Sequence, residues 1–154
     1  MITCERSTDY KLIREILIHP RIYSHAADDY SVPPEEFVPP ESEHIYYVIV
    51  RDDEEVLGMF VFVPHSRVMW EIHTCLLPAS WGARAAGAAR AVIDWLWSNT
   101  DCRRMITNVP AYNRLALRFA RTAGLTEFGR NPASILKDGI LHEQIMLGIS
   151  KDKH

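Results

Sequence analysis

Glu71 and His73 stand two residues apart in a β-rich stretch, residues 68–77, alternating with Trp70 and Ile72. Successive side chains of an extended chain point to opposite faces, so the two polar groups share one side of a sheet. A carboxylate or imidazole in a half-buried cleft can have its pKa moved toward neutrality, and either then serves as a general base. The alternative is that the two line a solvated sheet face or pair with each other. Cys75 falls on the same side and reads as a small core residue rather than a nucleophile.

A second chemical feature follows at once. Leu76 and Leu77 end the strand, and Trp81-Gly82-Ala83-Arg84-Ala85-Ala86 opens an alanine-rich helix. A helix start leaves backbone N–H groups unpaired at the positive end of the dipole, which suits a phosphate or pyrophosphate. Small side chains let the phosphate come close, and Ala83, Ala85 and Ala86 are small. The alternative is an alanine-rich helix that packs tightly on a sheet and binds nothing.

Other chemistries find no support. The seven histidines show neither His-x-x-x-His nor Cys/His ligand spacing, so no metal site is expected. No Gly-x-x-x-x-Gly-Lys-(Ser/Thr) loop or Gly-x-Ser-x-Gly elbow occurs. Arg114, Arg118 and Arg121 lie at helical spacing and suit a phosphate or nucleic acid, although a solvated helix face is the ordinary explanation. Net charge is -3, which gives no global attraction for nucleic acid or anionic lipid, so neither is expected as a partner.

The elements that must position these residues are readable. At 154 residues the chain is the size of one domain of about 150 residues, and 1–154 is read as one unit. It is 47% hydrophobic and 24% charged, ordinary for a soluble globular protein. Three separated cysteines, Cys4, Cys75 and Cys102, read as reduced thiols of a cytoplasmic protein. No signal peptide or membrane span is expected, since the N-terminal stretch is broken by charges and the apolar runs are short.

Residues 31–43 hold four prolines and four glutamates and read as a long loop within the domain. Before it, Ser7-Thr8-Asp9 caps a helix ending near Pro20, and a short second helix covers 21–28. After it come strands at 45–51, 56–63 and 68–77 and a helix at 83–98. A strand at 104–109 and a helix at 113–123, closed by Gly124, are followed by a hairpin of 135–137 and 142–149 around Asp138-Gly139. The order β-α-α-β-β-β-α-β-α-β-β, with one strand–helix–strand crossover, defines an α+β fold. Trp95 and Trp97 point to different faces of their helix, one toward the core and the other free for an oligomer contact such as a homodimer.

In this frame the chain resembles the GNAT superfamily of acetyl-CoA-dependent N-acetyltransferases over residues 44–150. Three pieces carry the likeness: Leu77-Pro78-Ala79-Ser80-Trp81-Gly82 at a strand-to-helix step; Val109-Pro110-Ala111-Tyr112-Asn113 before the next helix; and Asn113-x-x-Ala116 followed by Ala123-Gly124-Leu125. The branch most similar acetylates ribosomal-protein N-termini, and there is a narrower likeness to small phage-encoded head-assembly proteins. The resemblance implies a mixed, mostly antiparallel central sheet with helices on both faces. It also implies acetyl-CoA as co-substrate and a small-molecule or peptide amine as acceptor, a protein N-terminus among them.

The family often draws its base from the strand that here carries Glu71 and His73. Leu76, Leu77, Trp81, Gly82, Ala83, Arg84, Ala85, Ala86, Asn113 and Phe119 would then hold the coenzyme, the pantetheine arm on strand-end amides. The sequence departs from the pattern in two places. Arg84 stands where the phosphate loop has its second glycine, and would either neutralise a phosphate or obstruct it. The positions of the usual thiolate proton donors are Ala116 and Ala120, which suits a rival reading of a GNAT-fold protein with an assembly or protein-binding role.

Overall fold

The computed structural model describes residues 1–152. The chain runs β1 (Ile2–Arg6), α1 (Tyr10–Leu17), α2 (Pro20–Ala26), β2 (Tyr46–Asp52), β3 (Glu55–Pro64) and β4 (Met69–Leu76), then α3 (Ala83–Asn99), β5 (Arg104–Pro110), α4 (Arg114–Thr122), β6 (Thr126–Lys137) and β7 (Ile140–Ser150). The strands form one sheet in the order β1-β2-β3-β4-β5-β7-β6. All neighbours are antiparallel except β4 and β5, the parallel pair joined through α3. The expected α+β, mostly antiparallel sheet is therefore present, and helices cover both faces.

Strand alternation decides which face each residue serves. Val48, Val50, Phe60, Phe62, Trp70 and Ile72 lie beneath Ala88, Val92 and Leu96 of α3. The opposite side of the same strands sends Tyr47, Ile49, Met59, Val61 and Cys75 against Ile13 and Ile16 of α1 and Ile22 of α2. Leu117 and Ala120 of α4 cover Val109, Ile145 and Leu147. Trp95 and Trp97 are both partly buried against the core under α3.

The proline- and glutamate-rich loop has a single 3-10 turn, Pro34–Glu36, and is tied down. The Arg14 guanidinium donates to the carbonyls of Phe37, Glu35 and Pro34 at 3.0, 3.2 and 3.3 Å. The Tyr47 hydroxyl donates to the Pro40 carbonyl at 2.7 Å. β6 begins nine residues earlier than the hairpin predicted from sequence, at Thr126 rather than 135, with register shifts after Glu127 and Asn131. Pro132 falls in the register break between Asn131 and Ile135 of this edge strand, where a missing N–H is tolerated. Among the described residues no helix is long and apolar enough to cross a membrane, and all three cysteines are free thiols.

Candidate active site

The parallel β4–β5 ladder is short. It pairs Met69, Trp70 and Glu71 with Arg104, Met105 and Ile106, and beyond that rung the two strands run on without pairing. β4 continues to Leu76 and β5 to Pro110, so a gap opens between their C-terminal halves. On the other side β4 stays paired with β3 as far as Leu76 opposite Gly58.

Peptide groups of a strand turn alternately to its two edges. The Leu77 N–H is given to the Leu57 carbonyl of β3 at 2.9 Å, whereas the Val68 carbonyl, at even register, receives the Arg104 N–H. Odd residues of β4 thus face β3, and the peptide groups of Thr74 and Leu76 face the gap. The Leu77 amide, expected to serve the coenzyme, is thus turned to the β3 edge, and Thr74 and Leu76 are the residues whose peptide groups face the gap. The edge a peptide uses depends on strand register, which letters alone do not reveal.

Gly58 makes the end of β4 possible. Its φ is +145°, and a Cβ there would meet the Cys75 carbonyl oxygen and come within 2.7 Å of the Leu76 Cα.

On the α1/α2 face, at the closed end of the gap, Glu71 carries two imidazoles. His73 Nε2 is 2.7 Å from Oε2 and His65 Nε2 is 2.9 Å from Oε1. The Glu71 side chain is 18% exposed, against 48% for His73 and 42% for His65. The hydrogen bond from His73 holds the Glu71 carboxyl below its ordinary value, against an opposing push from burial, with the His73 and His65 charges and the His65 hydrogen bond adding to the lowering. Glu71 is therefore not moved toward neutrality. It is an ionised acceptor with both oxygens engaged, and the open nitrogens belong to the rings. His65 was not singled out in the sequence because it sits in polar turn letters. Its signal is diagonal register: Val63 opposes Glu71, and His65, two residues on, shares that face. Among the described residues no group of three His, Cys, Asp or Glu side chains is arranged to hold a metal.

The turn from β4 into α3 is built by Ser80, Trp81 and Gly82. Ser80 is buried, its hydroxyl within reach of the Leu57 and Leu77 carbonyls at 2.5 and 2.8 Å. Trp81 donates its indole N–H to the Leu76 carbonyl at 3.1 Å, and so closes one face-on group of the strand end. Gly82, at φ +96°, is the N-cap of α3 and supplies no side-chain cap, so the first-turn amides of α3 have no side-chain partner. Nothing lies within 4 Å of a Cβ placed on Gly82, so the turn is open to a ligand. Ala83, Ala85 and Ala86 follow, of which Ala85 is buried.

The Arg84 side chain leaves this turn for the β2–β3 corner. Its guanidinium lies 3.0 Å from Glu55 and 3.7 Å from Asp52. It is paired with carboxylates rather than turned back on the helix start.

Asn113 caps α4, its side-chain oxygen accepting the Ala116 N–H at 3.2 Å. Phe119 packs on the core under α3, and Ala120 is buried in the core under α4. Tyr112 sets its ring edge-on against His142, 4.7 Å between centroids. Arg114, Arg118 and Arg121 border a shallow groove along α4, and a second groove lies between Tyr10 and Glu43. Neither groove borders His73.

This architecture has known counterparts. The chain matches the family model described as an acetyltransferase (GNAT) domain over residues 22–126, more than half its length, and belongs to that family. Spermidine N-acetyltransferase from Vibrio cholerae, solved with CoA and spermine, superposes with a TM-score of 0.79 at 13% identity, covering 97% of this chain and 95% of that one. YncA from Salmonella typhimurium, with its cofactor acetyl-CoA, gives 0.71 at 17% identity over 99% and 95% of the two chains. A GNAT-family acetyltransferase from Streptococcus pneumoniae gives 0.73 at 12% identity over 97% and 99%. At these identities the likeness concerns the fold. No protein of curated function matches the sequence. These relatives bear on neither the ribosomal-protein branch nor the phage head-assembly proteins.

Proposed function

We propose that this protein transfers the acetyl group of acetyl-CoA to a primary amine. The observation that carries the reading is the parting of β4 from β5 just beyond Glu71, with the peptide groups of Thr74 and Leu76 facing the gap. A pantetheine arm is an extended chain of amides, and a strand edge that no neighbouring strand pairs is its natural partner, although the Leu76 carbonyl is already held by Trp81. The open, uncapped start of α3 at Gly82 suits the pyrophosphate.

In the reaction the amine nitrogen bonds to the thioester carbon, the carbon–sulfur bond breaks, and the nitrogen loses a proton. His73 takes that proton, directly or through water. Its Nε2–H is held by ionised Glu71, so in the neutral ring the lone pair is on Nδ1. Glu71 orients the ring and stabilises the imidazolium, while the departing thiolate is protonated from solvent, since Ala116 and Ala120 offer no donor. Acceptors to try are polyamines, because the Vibrio cholerae relative holds spermine, and peptide N-termini, after the ribosomal-protein likeness.

Calorimetric titration with acetyl-CoA, with desulfo-CoA as control, followed by turnover on those amines, tests the reading. Micromolar binding is expected, and His73→Ala should lower kcat by about 10²–10⁴-fold while leaving binding in place. No heat and no thermal shift at millimolar ligand would favour the second reading, a protein-binding member of the fold without catalysis, which the alanines at both donor positions support.

A further inference from the structure

Two imidazoles share Glu71, but the transfer proposed above uses only one. We infer that His65 is a positioning residue for that transfer: its bond to one Glu71 oxygen fixes the carboxylate so that the other holds His73 in the tautomer with Nδ1 free. The inference rests on the reading of His73 as proton acceptor.

The chemistry of the cluster dictates the roles. An ionised carboxylate only accepts, so both rings must donate their Nε2–H to it. A carboxylate held at one oxygen turns about a broad, nearly two-fold torsion, and its second partner removes that freedom. With Oε1 pinned by His65, Oε2 stays on His73.

His65 is itself well anchored. It donates its backbone N–H to the Met69 carbonyl at 2.9 Å. The Ser66 hydroxyl accepts the Val68 and Met69 amides at 3.3 and 3.1 Å, and the Trp70 indole donates to the Arg67 carbonyl at 3.1 Å. The β3–β4 turn thus presents the ring from a stiff support.

The sequence of the three along the fold matters as well. Met69 begins the paired end of β4 and Leu76 ends in the gap, so the cluster runs His65, Glu71, His73 from the closed end toward the opening. His65 lies behind the carboxylate and acts through it, not on the substrate.

The test compares His65→Leu with His65→Gln, whose amide can return a donor near the position of Nε2. Two readouts are taken: steady-state kinetics, and the ¹⁵N signature of the His73 tautomer. His65→Leu is expected to lower kcat about tenfold, the scale of one lost hydrogen bond to a charge, with KM for acetyl-CoA within about twofold. It should also convert His73 from the Nε2–H form to a mixture. His65→Gln should restore both readouts. If His65→Leu does not fold, His65→Asn, too short to reach Glu71, replaces it. Unchanged His73 tautomer in the Leu or Asn variant overturns the inference, whatever the activity. Turnover retained by His73→Ala would instead remove the base reading and with it the part of His65 in the transfer, while the tautomer readout would still show whether His65 fixes the His73 ring.

Discussion

Glu71 stands opposite Ile106 on the last rung of the parallel β4–β5 ladder, and from that rung the strands separate. The carboxylate thus sits at the vertex of the gap, with His73 two residues further into it. The proposed binding edge and proton acceptor come from one strand: even residues turn their peptide groups into the gap, and the odd positions carry Glu71 and His73 on the α1/α2 face. Any change that shifts β4 should therefore disturb both together.

Gly58→Ala is the sharpest such change. The new Cβ would press on the Cys75 carbonyl and the Leu76 Cα in a backbone conformation few L-residues adopt. Backbone strain of about 1–3 kcal/mol and overpacking of similar size point to a loss of about 2–4 kcal/mol. Denaturant unfolding should show that loss, and calorimetry should show weakened acetyl-CoA binding, since the strand end must move. Wild-type stability with wild-type binding would contradict the close approach.

Arg84 leads to a paired prediction. With its guanidinium on Glu55 and Asp52, it balances two carboxylates near the start of α3. Arg84→Ala should leave that acidity uncompensated and weaken acetyl-CoA binding by about two- to fivefold, the scale of an exposed charge pair. Glu55→Gln, which frees the guanidinium, should strengthen binding by a similar factor. Both effects should shrink in high salt. If Arg84→Ala tightened binding, the arginine would be an obstruction after all.

The sequence made the α+β order and the strand-to-helix step at Pro78–Gly82 legible, because alternation, proline and glycine are local signals. It did not reveal that the Leu77 amide turns to β3 and that of Thr74 to the gap, because the direction of a peptide group depends on which strand pairs on which side. His65 stayed hidden for a related reason. Only hairpin register brings it diagonally across to Glu71, six residues away in the chain. The early part of β6 was missed because Gly129, Asn131 and Pro132 are poor strand formers, and only its place at the sheet edge allows them.

Glu71 also makes stability depend on pH. Its carboxyl is held below the ordinary 4.5, first by the hydrogen bond from His73 and despite burial. A carboxyl depressed in the folded state contributes stability above its unfolded pKa and loses it as the pH falls through the folded value. In urea unfolding between about pH 3 and 7, Glu71→Gln should be less stable than wild type above 4.5, and the difference should narrow on acidification. A constant difference across that range would mean that the carboxylate gains nothing from its two imidazoles.

Cys75 should be chemically silent. Burial pushes its thiol up to about 12, and it packs against Met59 and Ile13 beneath α1. Thiolate is the reactive form, so iodoacetamide at pH 8 should leave Cys75 unmodified in the folded protein and label it once urea unfolds the chain. Mass spectrometry of the peptide covering β4 reads this directly. Labelling in the folded state would show that α1 opens far more readily than its packing implies.

Asp29 fastens the chain after α2 to the β6–β7 turn, and this clasp should matter to the acceptor and not to the coenzyme. Its two carboxylate oxygens accept the Asp138 and Gly139 amides at 2.7 and 2.8 Å. Lys137 adds a second tie, its ammonium donating to the Ala27 and Ser24 carbonyls at 2.8 and 3.0 Å. These bonds tie the end of α2 and the chain after it to the β6–β7 turn. Asp29→Ala should cost about 1–2 kcal/mol, since both lost bonds are charge-assisted but exposed, and should speed hydrogen exchange at Gly139. Affinity for acetyl-CoA should be unchanged, because Thr74, Leu76 and the α3 start are untouched. KM for the amine should rise, because α2 covers the sheet face that also carries His73. An unchanged amine KM, with the faster exchange confirmed, would place acceptor binding away from the α2 side of the gap.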